Sequence, residues 1–159
     1  MKQSPATQAI QDNLKPGALS SGGFLGEDGR ALADILREDQ ATMDRLGLTH
    51  AALAARLREL AGIGLAALGR PVSAGDDLEV EVEEFMGSIP CPFRDRVRTA
   101  KRTIRVVRPS TGRELRWTDL NLHMIECHGF YEGKGSAFRV DPAEAADLLG
   151  LVPEPTSPD

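Results

Sequence analysis

The stretch WTDLNLHMIECHGFYEGKGSAFRVDP, residues Trp117–Pro142, organises the interpretation of the whole chain. It holds the only Trp, the only Tyr, two of the three His and one of the two Cys. Thr118 is a typical N-cap, Asp119 suits the positive end of a helix dipole, and Gly129 suits a helix end. The pattern therefore predicts a helix over residues 118–128.

Most side chains of this helix are apolar and, at about 100° per residue, they cover a broad arc. We therefore expect a largely buried helix. Two polar side chains, Asn121 and His128, fall within the arc, and His123 lies at its edge beside Cys127. Buried polar groups need partners, so these side chains mark a candidate site. Three interpretations of that site are open.

In the first interpretation, His128 and Asn121 are structural groups that hydrogen-bond to nearby backbone. In the second, they belong to a metal site, because His123-x4-His128 has a spacing found in zinc proteins. An ideal helix places these two His about 140° apart, so the last turn must tighten for both to bind one ion. The predicted metal ligands are Cys91, His123, Cys127 and His128, with Asp95 as an alternative to Cys127, and zinc is the predicted cofactor.

In the third interpretation, the site binds a small anion or performs chemistry. The glycines of Gly133-Lys134-Gly135 allow backbone N–H groups to converge, and Lys134 adds positive charge. The predicted ligand-binding residues are His123, His128, Asn121, Lys134, Ser136 and Arg139. An enzyme would use Cys91 as its reactive group with His123 or His128.

Cys91 lies in Ile89-Pro90-Cys91-Pro92-Phe93, between two predicted strands. The two prolines fix the backbone on either side of the thiol, which predicts a stiff, extended connection. Such a connection suits a ligand or a reactive group, whereas a free Cys packed as a small apolar residue is the alternative.

The rest of the chain predicts an α+β fold with one domain over residues 24–151. Apolar periodicity predicts two helices in residues 28–69, capped by Asp28 and Thr49, which form an αα-hairpin. Alternating residues predict a three-stranded antiparallel sheet, with a short fourth strand near Phe138 and helix 118–128 packed on it. A last helix is predicted over residues 143–149, with tails over residues 1–23 and 152–159.

Charge is distributed unevenly along the predicted sheet. Residues 94–116 carry nine Lys or Arg against two acids, and residues 76–84 carry six acids and no base. We expect the two segments to be sheet neighbours that pair across strands. A basic groove for nucleic acid is the less favoured alternative, because the net charge of the chain is −5.

Residues 1–23 contain no apolar run of signal-peptide length, and no run in the chain is long enough to span a membrane. Two Cys do not make a disulfide framework. These features predict a protein of the reducing cytoplasm with no membrane partner.

In the segments WTDLNLHMIECHGFYEGKGSAFRVDP and IPCPF, the sequence resembles a group of uncharacterised bacterial proteins known only as hypothetical cytosolic proteins. The resemblance covers most of residues 28–150. It implies a cytoplasmic bacterial protein but brings no assigned activity, so no functional residue is carried over from it.

The function predicted from the sequence is binding of a metal ion or a small anion near the C-terminal end of helix 118–128. One alternative is a structural or interaction module that forms a homodimer through residues 28–69. The other is the enzyme that uses Cys91.

Overall fold

A four-stranded antiparallel sheet forms the centre of an α+β fold. The computed structural model describes residues 3–20 and 22–151. The strands are β1 (Val72–Gly75), β2 (Leu78–Pro90), β3 (Arg98–Arg108) and β4 (Arg113–Thr118), in the spatial order β1-β2-β3-β4. The helices are α1 (Pro5–Leu14), α2 (Leu32–Leu46), α3 (His50–Ala66), α4 (Asp119–His128) and α5 (Pro142–Leu148).

One face of the sheet forms the main core. Val82 pairs with Ile104, which pairs with Trp117 on β4, and all three side chains are at most 3% exposed. The alternation of apolar and charged residues in β2 therefore puts the valines inside and the glutamates outside, as a two-residue period requires. The predicted β3–β4 hairpin, which turns through residues 109–112, is confirmed.

The fourth strand lies elsewhere than predicted. It is β1, which precedes β2 and pairs with it around a bulge near Gly75. Residues 138–140 form no strand; the segment is tied down by one hydrogen bond from the Val140 N–H to the Tyr131 carbonyl, at 3.1 Å. A strand of four residues with weak alternation gives little sequence signal, which is why β1 was missed.

The helices cover the sheet, but not as the predicted hairpin. Gly47, at φ 69°, ends α2 as expected, and the Thr49 side chain caps α3 as expected. The two helices then diverge, because α3 packs on the sheet and on α4, whereas α2 packs on α1 and α5. The two helices are consecutive, as predicted, and Met43 of α2 shares a core cluster with α3, but each helix packs mainly on other elements of the chain.

Two further expectations for the N-terminal part are corrected. Residues 5–14, predicted as part of a tail, form helix α1, which Ser4 caps and which buries Leu14 completely. Asp28 does not cap α2, because the N-cap residue is Ala31, which makes no side-chain hydrogen bond. The Asp28 carboxylate accepts hydrogen bonds from the Arg30 side chain and from the Lys134 N–H instead. The predicted C-terminal tail, residues 152–159, lies outside the described residues.

The basic and acidic segments are sheet neighbours, since β2 pairs with β3 from Glu79 to Pro90 with one irregularity between Phe85 and Ser88. Cross-strand ion pairs form in part, as between Arg102 and Glu84 at 3.2 Å, while Arg105 turns to Glu114 on β4, at 2.6 Å. Within the part of the chain that the structure describes, no helix has the length and hydropathy needed to cross a bilayer.

Candidate metal centre

Helix α4 presents both of its histidines from a well-defined frame. The Thr118 hydroxyl accepts from the Asn121 N–H, and the Asn121 side chain accepts from the Thr118 N–H, which together make a capping box. Gly129, at φ 62°, closes the other end, and its N–H reaches the carbonyls of the last turn. The predicted helix and both of its ends are therefore confirmed.

The loop of residues 91–97, between β2 and β3, faces this helix. The Cys91 N–H donates to the Val97 carbonyl at 2.8 Å, which closes the loop. The Val97 N–H donates to Oδ1 of Asp95 at 3.0 Å, which leaves Oδ2 directed elsewhere. Arg94 and Arg96, on either side of Asp95, have φ of 64° and 65°. Non-glycine residues seldom adopt this left-handed conformation, so the loop turns sharply in order to present Asp95.

Four potential ligand side chains converge between the loop and the helix. Oδ2 of Asp95 lies 2.6 Å from Nε2 of His123 and 2.8 Å from Nε2 of His128. The ligand atoms of these three residues and the Cys91 sulfur all lie within 4.8 Å of one another. Cys91 is 6% exposed, and the side chains of Asp95, His123 and His128 are between 15% and 23% exposed. The group is therefore partly shielded but accessible to a small ion.

The electrostatics of the group favour a cation. Burial acts to raise the pKa of the Asp95 carboxyl, but hydrogen bonds from the Val97 N–H and both histidines hold that pKa well below its usual range. Asp95 is thus ionised at neutral pH. Burial, with a smaller contribution from the Asp95 charge, raises the pKa of the Cys91 thiol to about 12. A protonated thiol is a poor nucleophile, but a bound metal ion would stabilise its thiolate.

Aromatic and apolar side chains hold the two segments together. The Phe93 ring stacks on the His128 ring with centroids 4.2 Å apart and an interplanar angle of 6°. Cys91 and Phe93 pack in a second core cluster with Met124 and Phe130. The side-chain amide of Asn13, in α1, donates to the Pro92 carbonyl at 3.1 Å. The loop is therefore pinned from both sides before any ion binds.

The spacing of the four ligand atoms is close to that of a tetrahedral site. Zinc bonds of about 2.0–2.3 Å place neighbouring ligand atoms about 3.3–3.8 Å apart. The Asp95–His distances of 2.6 and 2.8 Å would lengthen by roughly 0.5–0.7 Å, and the widest separation, at most 4.8 Å, would shorten by about 1 Å. The four ligand atoms are therefore within about 1 Å of a tetrahedral spacing.

The structure brings three of the four predicted metal ligands together, namely Cys91, His123 and His128. Cys127 is exposed and does not belong to the group, and Asp95 takes the fourth position. Asp95 is the residue that the sequence offered as the alternative to Cys127. The choice between Asp95 and Cys127 required knowledge of which segment lies over which helix face.

The remaining predicted ligand-binding residues lie in other contacts. Asn121 is 1% exposed, and its side-chain amide donates to the buried carboxylate of Glu132, which also accepts from the Ser136 hydroxyl at 2.5 Å. Arg139 makes a two-pronged ion pair with buried Asp39, at 2.9 and 3.0 Å, and Lys134 pairs with Glu38. These residues join the turn of residues 132–136 to α2 and α4.

Glu132 had not been singled out from the sequence. Its side chain is 3% exposed, and burial raises the pKa of its carboxyl to about 7, against hydrogen bonds from Ser136 and Asn121 that lower it. A lone Glu in a Gly-rich turn gives no signal of burial. Residues 25–27, which are distant in the sequence, pack against the turn that carries Glu132.

Comparison of the chain with protein-family models, with curated proteins and with solved structures finds no match. The function must therefore be argued from the geometry of the site.

Proposed function

We propose that the protein binds one divalent transition-metal ion, zinc by preference, through Cys91, Asp95, His123 and His128. The observation that carries the proposal is the convergence of four ligand atoms within 4.8 Å from two segments far apart in the sequence. Asp95 accepts from both histidines in this arrangement. A metal ion would replace the protons that these contacts share.

The donor set favours zinc over harder ions. One thiolate, two imidazoles and one carboxylate suit a borderline metal, whereas calcium and magnesium prefer oxygen ligands alone. Four protein ligands also complete a tetrahedron and leave no position for a substrate. We therefore assign the ion a structural role, in which it fastens the loop of residues 91–97 to α4.

The alternatives receive less support from the geometry. A nucleophilic enzyme needs a thiolate at Cys91, and the raised pKa of that thiol opposes it. A small-anion site at the turn of residues 132–136 would place the anion beside the Glu132 carboxyl. Dimerisation through residues 28–69 would use apolar faces of α2 and α3 that already pack within the chain. Cytoplasmic location agrees with the metal proposal, because Cys91 must stay reduced in order to bind.

The test is elemental analysis of full-length protein purified without a histidine tag. We expect about one equivalent of zinc per chain in the wild type. The Asp95→Asn and His123→Ala variants should lose most of it, whereas Cys127→Ser should keep it all. Less than a tenth of an equivalent of zinc, iron, cobalt or nickel in the wild type would refute the proposal. Loss of metal in Cys127→Ser alone would instead replace Asp95 by Cys127 as the fourth ligand.

A further inference from the structure

The loop that carries Asp95 also carries Arg94 and Arg96, and Arg98 follows it as the first residue of β3; all three arginines are exposed. They line a cavity of about 500 Å³ together with Pro90, Cys91 and Val97. Cys91, a proposed metal ligand, therefore forms part of the wall of a cavity whose charged lining side chains are all basic. Concentrated positive charge in a concave surface favours anions.

Arg94 and Arg96 occupy positions where an arginine is unfavourable for the backbone. Both have left-handed φ, which glycine adopts freely and other residues adopt with strain. An arginine that stays in such a position suggests that its side chain serves a purpose that glycine cannot. Backbone conformation alone would favour Gly or Asn at both positions.

The guanidinium groups of Arg94 and Arg96 remain available to a ligand. Within residues 3–20 and 22–151, three arginines of β3 pair with carboxylates, namely Arg102, Arg105 and Arg108, whereas Arg94 and Arg96 do not. Arg98 is held in place by Ser88, whose hydroxyl accepts from its Nε at 2.9 Å and whose carbonyl accepts from its terminal nitrogen at 3.3 Å. One arginine is thus preorganised and two are free to close on an anion.

We propose that this cavity binds the phosphate group of a small phosphorylated molecule, through Arg94, Arg96 and Arg98, beside the metal centre. Guanidinium groups match phosphate oxygens in pairs, and three arginines around one cavity exceed what a carboxylate needs. The volume exceeds that of phosphate itself, since about 500 Å³ holds more than ten water volumes of roughly 30 Å³. The occupant is therefore a phosphate ester or diphosphate of small size.

This inference goes beyond the proposed metal site. Cys91 belongs both to the cavity wall and to the metal group, whereas the three arginines lie outside that group. The arginine site can therefore be tested separately from the metal centre.

The test is calorimetric titration of the full-length, zinc-loaded protein with inorganic phosphate and with pyrophosphate at low ionic strength. We expect wild type to bind pyrophosphate more tightly than phosphate. The double variant Arg94→Gly/Arg96→Gly should bind roughly tenfold more weakly or worse, because it loses two charge-assisted contacts. Because glycine relieves the left-handed strain, the melting temperature of the double variant should equal or exceed that of wild type. The matched control Arg70→Gly removes an exposed arginine outside the loop and should bind as wild type does.

Metal content measured in the same samples separates the two proposals. Wild type that holds zinc but binds neither anion would overturn the phosphate site alone. Equal binding of pyrophosphate by the double variant and by wild type would also overturn the phosphate site. So would binding of a twelve-nucleotide oligonucleotide by a protein that does not bind pyrophosphate. Wild type that holds no metal would overturn the metal centre, and anion binding that the double variant abolishes would then still support the arginine site.

Discussion

Removal of zinc should lower the melting temperature of the protein by an amount that follows from linkage. A ligand that binds only the folded state stabilises it by RT ln(1 + [L]/Kd), which is about 4.1 kcal/mol at a free zinc concentration of 1,000 times Kd. For a domain of 150 residues or more, each kcal/mol shifts the melting temperature by roughly 2–4 °C. The chain has 159 residues, so we expect a shift of about 8–16 °C.

The same reasoning gives the effect of losing one ligand. Structural zinc sites in small peptides bind with roughly 10–16 kcal/mol, which is about 2.5–4 kcal/mol for each of four ligands. At 1.4 kcal/mol per tenfold, loss of His123 should weaken zinc binding by roughly 100-fold to 1,000-fold. His123→Ala should therefore lose most of the zinc-induced shift. The Asp95→Asn variant, which keeps the shape of the side chain, should behave similarly.

The assay is differential scanning calorimetry of tag-free protein, with zinc buffered at a known free concentration or removed by a chelator. The third histidine supplies the matched control. His50 contacts Tyr131 and Gln40, at 2.7 Å each, and lies outside the metal group. The His50→Ala variant will melt lower than wild type but should keep the full zinc-induced shift. Wild type that melts at the same temperature with zinc and with chelator would refute the reasoning, whatever the variants do.

Three further outcomes test the packing around the site. A Cβ at Gly133 would lie 2.2 Å from a backbone oxygen of the segment before α2, so Gly133→Ala should lower the free energy of unfolding in urea by more than about 2 kcal/mol. A Cβ at Gly62 meets nothing within 4 Å, so Gly62→Ala should raise that free energy by roughly 0.5–1 kcal/mol. Equal effects of the two substitutions would contradict the close approach at Gly133. Arg139→Met should cost roughly 3–5 kcal/mol in the same assay, because it leaves Asp39 charged and buried, and a cost below 1 kcal/mol would refute the ion pair. The carboxyl of Glu132, whose pKa is raised to about 7, binds a proton more readily in the folded than in the unfolded state. Its contribution to stability is complete below about pH 4.5 and is lost as pH rises through 7, so Glu132→Gln should gain stability over wild type across that range, by up to about 3 kcal/mol. Parallel pH profiles of the two proteins would contradict the raised pKa.

Local signals in the sequence were enough to predict much of the fold. Helix α4 was predicted because Thr118 and Gly129 provide both of its ends, and the structure confirms them. The buried face of β2 was predicted from the strict alternation of apolar and charged residues, because alternate side chains of a strand point to opposite faces of the sheet. The α+β class followed in turn, since these elements bury their apolar faces only against one another.

The errors arose where partners distant in the sequence decide the structure. The divergence of α2 and α3 depends on what each helix meets in space, which periodicity does not report. Helix α1 was missed because its only large apolar residues are Ile10 and Leu14, although Leu14 is completely buried. The burial of Glu132 likewise depends on residues 24–27, about 100 positions earlier in the chain.

In the candidate site, too, local patterns predicted some ligands, whereas the choice between Asp95 and Cys127 depended on tertiary packing. His123 and His128 were predicted because their spacing is local, and Cys91 because two prolines brace it. For the fourth position the sequence offered Cys127, with Asp95 as the alternative, and the loop of residues 91–97 brings Asp95 over the two histidines. Helix geometry gives the direction of a side chain from its own axis, whereas the identity of the segment above it comes from tertiary packing.

The strain in this loop links the metal centre to the arginine cavity. Left-handed conformations at Arg94 and Arg96 cost roughly 1–2 kcal/mol each, and folded proteins retain such conformations only where the surrounding contacts impose them. The contacts that impose this one are the closing bond from Cys91 to Val97, the bonds of Asp95 to the histidines and the stacking of Phe93 on His128. Each of these contacts involves a proposed metal ligand, namely Cys91, Asp95 or His128. Metal binding would therefore add to the contacts that already hold the backbone of the two arginines.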